Sequence, residues 1–153
     1  MNTVWHERSE RRGFTLIELL ISVSIIAIII AIGIASYSTI TKQSRDTKRK
    51  SDIEQVRSAL EMYRAENGYY PNIGGGTWTN VSGLASLLTP TFIPGIPTDP
   101  KNVAPYTYEY ESTGLSNGQY YGYCISAAME SQNPTDTCTP DTANSQNYGV
   151  KNP

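Results

Sequence analysis

An apolar run opens at Phe14 with a single charge in it, Glu18, and from residue 19 to residue 35 it contains no ionisable side chain. About 20 apolar residues in a helix match the thickness of a bilayer's hydrocarbon core. A carboxylate inside such a segment costs roughly 2.5–3.5 kcal/mol on insertion scales, so an acid placed there is expected to have a task. An ordinary secretory signal has an apolar core of about 7–15 residues followed by a small-residue cut. This run is too long for that. A plain membrane anchor would explain the length, with Glu18 reaching for the interface, but it leaves the basic pair and glycine at 11–13 and their spacing to Glu18 without a reason.

The chain of 153 residues is one domain's worth of material, and much of it lies in the apolar segment and what precedes it, so the remaining globular part is small. A net charge of −2 carries no signature of polyanion binding. The charge is unevenly spread: Lys42, Arg45, Lys48, Arg49 and Lys50 face only Asp46 in their own stretch, against Arg8, Arg11 and Arg12 on the other flank. Counting cations alone would put the wrong flank in the cytoplasm. The export reading overrules that count, because the first segment often sets topology and because the carboxyl half reads as extracellular by its cysteines.

Those cysteines are Cys124 and Cys138. An even pair in a small, loop-rich region behind an export signal points to a disulfide formed outside the cytoplasm. Closing a loop of about 15 residues would stabilise the fold by roughly 3 kcal/mol. Two reduced thiols that never meet are the alternative. A zinc site is disfavoured, since the one histidine is His6 and two cysteines do not fill four positions.

Residues 14–67 hold no proline and one glycine, Gly33, so helix is expected throughout. Its first half is apolar on every face. Its second half is amphipathic, with Ile53, Val56, Leu60 and Tyr63 on one side and the pairs Asp46/Lys50, Glu54/Arg57 and Glu61/Arg64 on the others. Gly68 supplies the stop. Beyond it, residues 81–88 read as a short helix starting near Ser82, 107–111 and 119–127 as strands joined by a turn at Ser116-Asn117-Gly118, and 133–153 as polar and largely irregular. Gly74-Gly75-Gly76 reads as a flexible turn and not as a phosphate cradle. Nine of the eleven tyrosines follow Gly68, where they are expected to pack with a wet hydroxyl edge. The fold class is α+β: a long N-terminal helix with a small antiparallel sheet head packed on its C-terminal half.

The run Arg11-Arg12-Gly13-Phe14-Thr15-Leu16-Ile17-Glu18 resembles the class III leader of prepilins and pseudopilins. The resemblance continues through Ala59-Leu60-Glu61-Met62-Tyr63, Asn67-Gly68-Tyr69-Tyr70-Pro71 and Ile93-Pro94-Gly95-Ile96-Pro97-Thr98-Asp99-Pro100, which look like the head-domain opening of major pseudopilins and related pilins. It implies cleavage by a membrane prepilin peptidase after Gly13 and N-methylation of Phe14. It also implies that Glu18 pairs with the charged amino terminus of a neighbouring subunit, which avoids the larger cost of burying either charge alone. The organisation that follows is a leader 1–13, a membrane and filament-core helix 14–35, an amphipathic stem 36–67 and a head 68–153. Ala27, Ala31 and Ala35 recur at a spacing that lets helices approach, and they are as well explained as plain helix formers.

No catalytic set is expected: there is no serine-hydrolase elbow, no H-E-x-x-H motif and no histidine beyond His6. Asp136 and Asp141 with nearby Thr and Asn oxygens are weak calcium candidates, and a solvated loop is the stronger reading. No other cofactor is expected. The resemblance implies a type IV pilus-like subunit, resident in the cytoplasmic membrane and then part of a surface or periplasmic homo-oligomeric filament for adhesion, motility or DNA uptake. Its partners would be copies of itself, the peptidase, the membrane and an assembly platform, with no direct nucleic-acid partner. The alternatives are the major pseudopilin of a type II secretion system and, from another class, a membrane-anchored binding module that never polymerises.

Overall fold

The computed structural model describes residues 13–131, 138 and 146–153, and for Ala35 the backbone alone. Arg8, Arg11, Arg12, Asp136 and Asp141 lie outside the described residues. The chain divides into two compact units, Met1–Ser38 and Thr39–Pro153, with helix α1 (Leu16–Asn67) running through both.

In the first unit α1 is exposed over its apolar length, from Leu16 to Ile34, and is long and apolar enough to cross a membrane. Its serines do not break it. Ser22, Ser24 and Ser36 donate their hydroxyls to the carbonyls of Glu18, Leu20 and Ile32 one turn back, so each polar group in the greasy stretch is satisfied within the helix.

In the second unit the stripe Ile53, Val56, Ala59 and Leu60 is buried, with Tyr63 half-buried beside it. It packs with Tyr108, Tyr110, Tyr123, Ile125 and Val150 from a four-stranded antiparallel sheet, and with Val81, Leu84 and Leu88. The strands are β1 (Thr79–Asn80), β2 (Tyr108–Ser116), β3 (Gln119–Ala127) and β4 (Tyr148–Lys151), lying side by side in chain order. The α+β fold expected from the sequence is the one observed. At the end of α1, Gly68 takes φ 84° and its N–H donates to the Arg64 carbonyl, the left-handed close that only glycine enters at no steric cost.

The hairpin turns where expected. Asn117 and Gly118 both have positive φ, 49° and 78°, as a two-residue primed turn requires, and Ser116 sits opposite Gln119. The short helix occupies 81–88, as the sequence suggests, and Asn80 caps it: the Asn80 carboxamide accepts the Ser82 N–H at 2.9 Å, opening a 3₁₀ turn (Val81–Leu84) that becomes α2 (Ala85–Leu88). The tail corrects the reading of 133–153 as irregular. Its last part forms β4 on the edge of β3, with Val150 opposite Ile125 facing the core. The signal was the alternation of Tyr148 and Val150, too short to stand out among polar neighbours.

Candidate functional site

Two sets of residues converge on chemistry, one in each unit. The first is the entry to α1. The Thr15 hydroxyl accepts the Glu18 N–H at 3.3 Å, while the Glu18 carboxylate accepts the Thr15 N–H at 3.0 Å and the Thr15 hydroxyl at 2.8 Å. This is a capping box, legible as Thr-x-x-Glu and missed when Glu18 was read for its charge alone. Its effect is to hold the carboxylate against its own helix start, where backbone N–H groups favour a negative charge. Gly13 has nothing within 4 Å of where a side chain would begin, and Phe14 is 84% exposed. Ala27 and Ala31 are exposed in the same unit.

The second set is a buried ion cluster between α1 and the rest of its unit. Arg49 has no exposed side-chain surface. Its guanidinium donates two bonds to Asp99, at 2.6 and 3.1 Å, one to Asp46 at 2.7 Å and one to Glu130 at 2.9 Å. Glu130 also accepts two bonds from Arg45, both at 2.7 Å, and lies 2.7 Å from the Lys101 ammonium. The ring of Tyr106 lies under both Arg49 and Lys101. Asp46 in turn accepts the N–H groups of Glu130 and Ser131 and the Ser131 hydroxyl. Three cations thus meet three carboxylates, and the planar fork of arginine suits the bidentate contacts.

This geometry corrects two sequence readings. Asp46 pairs with Arg49, not Lys50, whose ammonium instead faces the Tyr148 ring. Glu61 does not hold Arg64. It accepts the hydroxyls of Tyr70 and Tyr123, both at 3.0 Å, and Arg64 donates to the Tyr70 oxygen. Glu54 and Arg57 do pair, at 3.4 Å. The tyrosine hydroxyls are likewise less wet than expected, since Tyr108 donates to Asp52 and Tyr110 to the Pro71 carbonyl. Three of the five cations in the basic stretch, Arg45, Lys48 and Arg49, are paired with carboxylates.

Electrostatics follow from these contacts. The Arg45 guanidinium, helped by Lys101 and Arg49, holds the Glu130 carboxyl far below the ordinary carboxylate range, against burial that pushes it up. Burial also works to raise Asp46, and bonds from Ser131, the Glu130 N–H and Arg49 outweigh it, so that carboxyl too is held low. A carboxyl depressed in the folded state contributes stability that is complete above its unfolded value, about 4.3 for Glu, and is lost as pH falls through the folded value. The thermal midpoint of the head, followed by tyrosine near-ultraviolet circular dichroism, is expected to hold between about pH 7 and 5 and to drop steadily below about pH 4. A midpoint unchanged down to about pH 2 would refute this role for the cluster.

Cys124 on β3 is joined to Cys138, with Cα atoms 6.1 Å apart. The bond lies on the sheet face opposite the core, over Gly149 of β4. A side chain there would begin 2.9 Å from the Cys138 sulfur, so glycine is what lets the bridge lie flat on the strand. The three-glycine stretch is a built turn: the Gly75 N–H donates to the Asn72 side chain, and a Cβ on Gly74 would meet the Thr77 carbonyl at 2.5 Å. Among the described residues no group of three or more His, Cys, Asp or Glu side chains is placed to hold a metal ion.

The entry to α1 matches a family model described as the prokaryotic N-terminal methylation motif, over residues 8–34. The chain is 30% identical over 130 residues to the type IV wide pilus major component PilA4 of Thermus thermophilus, covering 85% of this chain and 82% of that one. It is 32% identical over 107 residues to prepilin peptidase-dependent protein D of Escherichia coli, with 70% of each chain covered. Against type II secretion system core protein G of Pseudomonas aeruginosa identity is 35% over 66 residues, covering 43% of this chain and 46% of that one, so the chain spans about half the length of that relative. No solved structure matches it. The chain belongs to the family of pilin-like filament subunits that includes the type IV pilins and the type II secretion pseudopilins.

Proposed function

We propose that this chain is the subunit of a type IV pilus, cut after Gly13, methylated on Phe14, held in the cytoplasmic membrane by the apolar part of α1 and then drawn into a filament through that same helix. The observation that supports the pilus over the secretion pseudopilus is the extent of likeness: the pilus component PilA4 is matched across 85% of the chain, whereas the core protein G relatives are matched across 43% to 60% of it. The role of Glu18 in this reading is to exchange partners. In the single chain its carboxylate is held by Thr15. In the filament it would take the methylated ammonium of a neighbour's Phe14, a stronger partner in a dry bundle. The pseudopilin reading uses the same chemistry and differs in destination.

The test is the mature protein itself. Mass spectrometry of material from the native host is expected to find an N-terminal peptide beginning at N-methylated Phe14, and electron microscopy of sheared cells to find filaments composed of it. An intact Gly13–Phe14 bond, or processed protein that never leaves the membrane, would overturn the proposal. Filaments present with a secretion defect on deletion would favour the pseudopilus.

A further inference from the structure

Almost every described charged side chain of the unit Thr39–Pro153 has a partner within the chain. Among its described residues, Lys42 and Glu66 are the charged side chains that make no hydrogen bond, ion pair or ring contact, and both are exposed. They have opposite signs and stand near opposite ends of the part of α1 that carries the head. At 1.5 Å and 100° per residue, they are separated by about 36 Å along the helix and about 120° around it. They cannot meet within one chain.

We infer that Lys42 of one copy pairs with Glu66 of another, across an interface between heads displaced along the helix axis by about 36 Å. The contact uses two different patches, so it is heterologous: each copy offers a Lys42 to one neighbour and a Glu66 to the next, and a contact of that kind propagates into an open helical array and does not close into a dimer. Among the described residues the other charged side chains of this unit already have partners, Lys48 with Asp52 included, so these two ends are the charge complementarity left over there for a second copy. Lateral charge contacts of this type set register and partner choice more than affinity. The inference rests on the filament reading and adds to it which parts of the heads touch.

Carbodiimide treatment of wild-type filaments forms an amide directly between a lysine and a carboxylate in contact, and peptide mass spectrometry should recover the Lys42–Glu66 cross-link from material larger than the monomer. Lys42→Glu and Glu66→Lys should each lower filament yield by about fivefold or more, with the processed membrane pool unchanged, and the double swap should restore yield to within about twofold. A head-to-head cross-link map lacking this pair, or a double swap no better than the single variants, would overturn the inference. Loss with Lys42→Glu that no Glu66 change rescues would assign Lys42 to another surface, such as anionic headgroups. If wild-type cells form no filaments at all, it is the filament reading that fails, and the two failures are told apart.

Discussion

Replacing Arg49 by methionine is expected to destabilise the head by about 3–5 kcal/mol, the usual cost of removing one partner from a buried ion pair. The variant keeps the apolar stem of the side chain but removes both guanidinium bonds from Asp99, whose buried carboxylate keeps the Lys101 N–H, and takes one bond each from Asp46 and Glu130. Arg45 and Lys101 still hold Glu130, so the damage concentrates at Asp99. The thermal midpoint, read from tyrosine near-ultraviolet circular dichroism of the full mature chain in micelles, should fall by about 10–20 °C. Arg49→Lys should recover part of this loss, because a point charge cannot reproduce the fork on Asp99. A midpoint within about 3 °C of the wild type for Arg49→Met would show that the cluster contributes nothing net.

The second large effect concerns Glu18. Glu18→Ala should leave membrane insertion intact or improved, since the change removes the one charge in the apolar run, and should leave cleavage after Gly13 intact. Filament yield should fall by at least about tenfold, because a neighbour's ammonium would be left unpaired in a low-dielectric bundle. The capping box supplies the discriminating control. Glutamine at the same place can still bond back to the Thr15 N–H, so Glu18→Gln keeps the helix start while losing the charge. If Glu18→Gln filaments are normal, the residue matters as a cap and not as an ion. If both variants fail with the processed pool intact, charge is the determinant.

The sequence showed most of what is local and little of what is distant. Helix α1, the Asn117-Gly118 turn, the alternation that opens β2 and the aromatic, β-branched make-up of β3 are set by neighbours in the chain and were legible, whereas β2 runs on to Ser116, five residues past the strand read at 107–111. The ion cluster was not, because Arg49 reaches Asp99 and Glu130 across 50 and 81 residues of sequence. Rules for neighbours on one helix face instead proposed Asp46–Lys50 and Glu61–Arg64, interactions worth a few tenths of a kcal/mol each. Buried partners outcompeted them. For the same reason the tyrosine hydroxyls looked wet: their acceptors, Glu61, Asp52 and the Pro71 carbonyl, belong to elements far away in sequence.

The cluster also determines how the head would bear tension. Along α1 the head is fastened first at Arg45 and Asp46, to Glu130 and Ser131 beyond β3, and then at Arg49, to Glu130 and to Asp99 in one loop. Bonds loaded side by side must rupture together, which resists shear. Strand β4 is fastened differently, along one edge of β3 over four residues, a seam that can open one rung after another. The covalent bridge from Cys124 to Cys138 lies over Gly149 of that strand, so the part of the head arranged to peel is the part a disulfide is packed against.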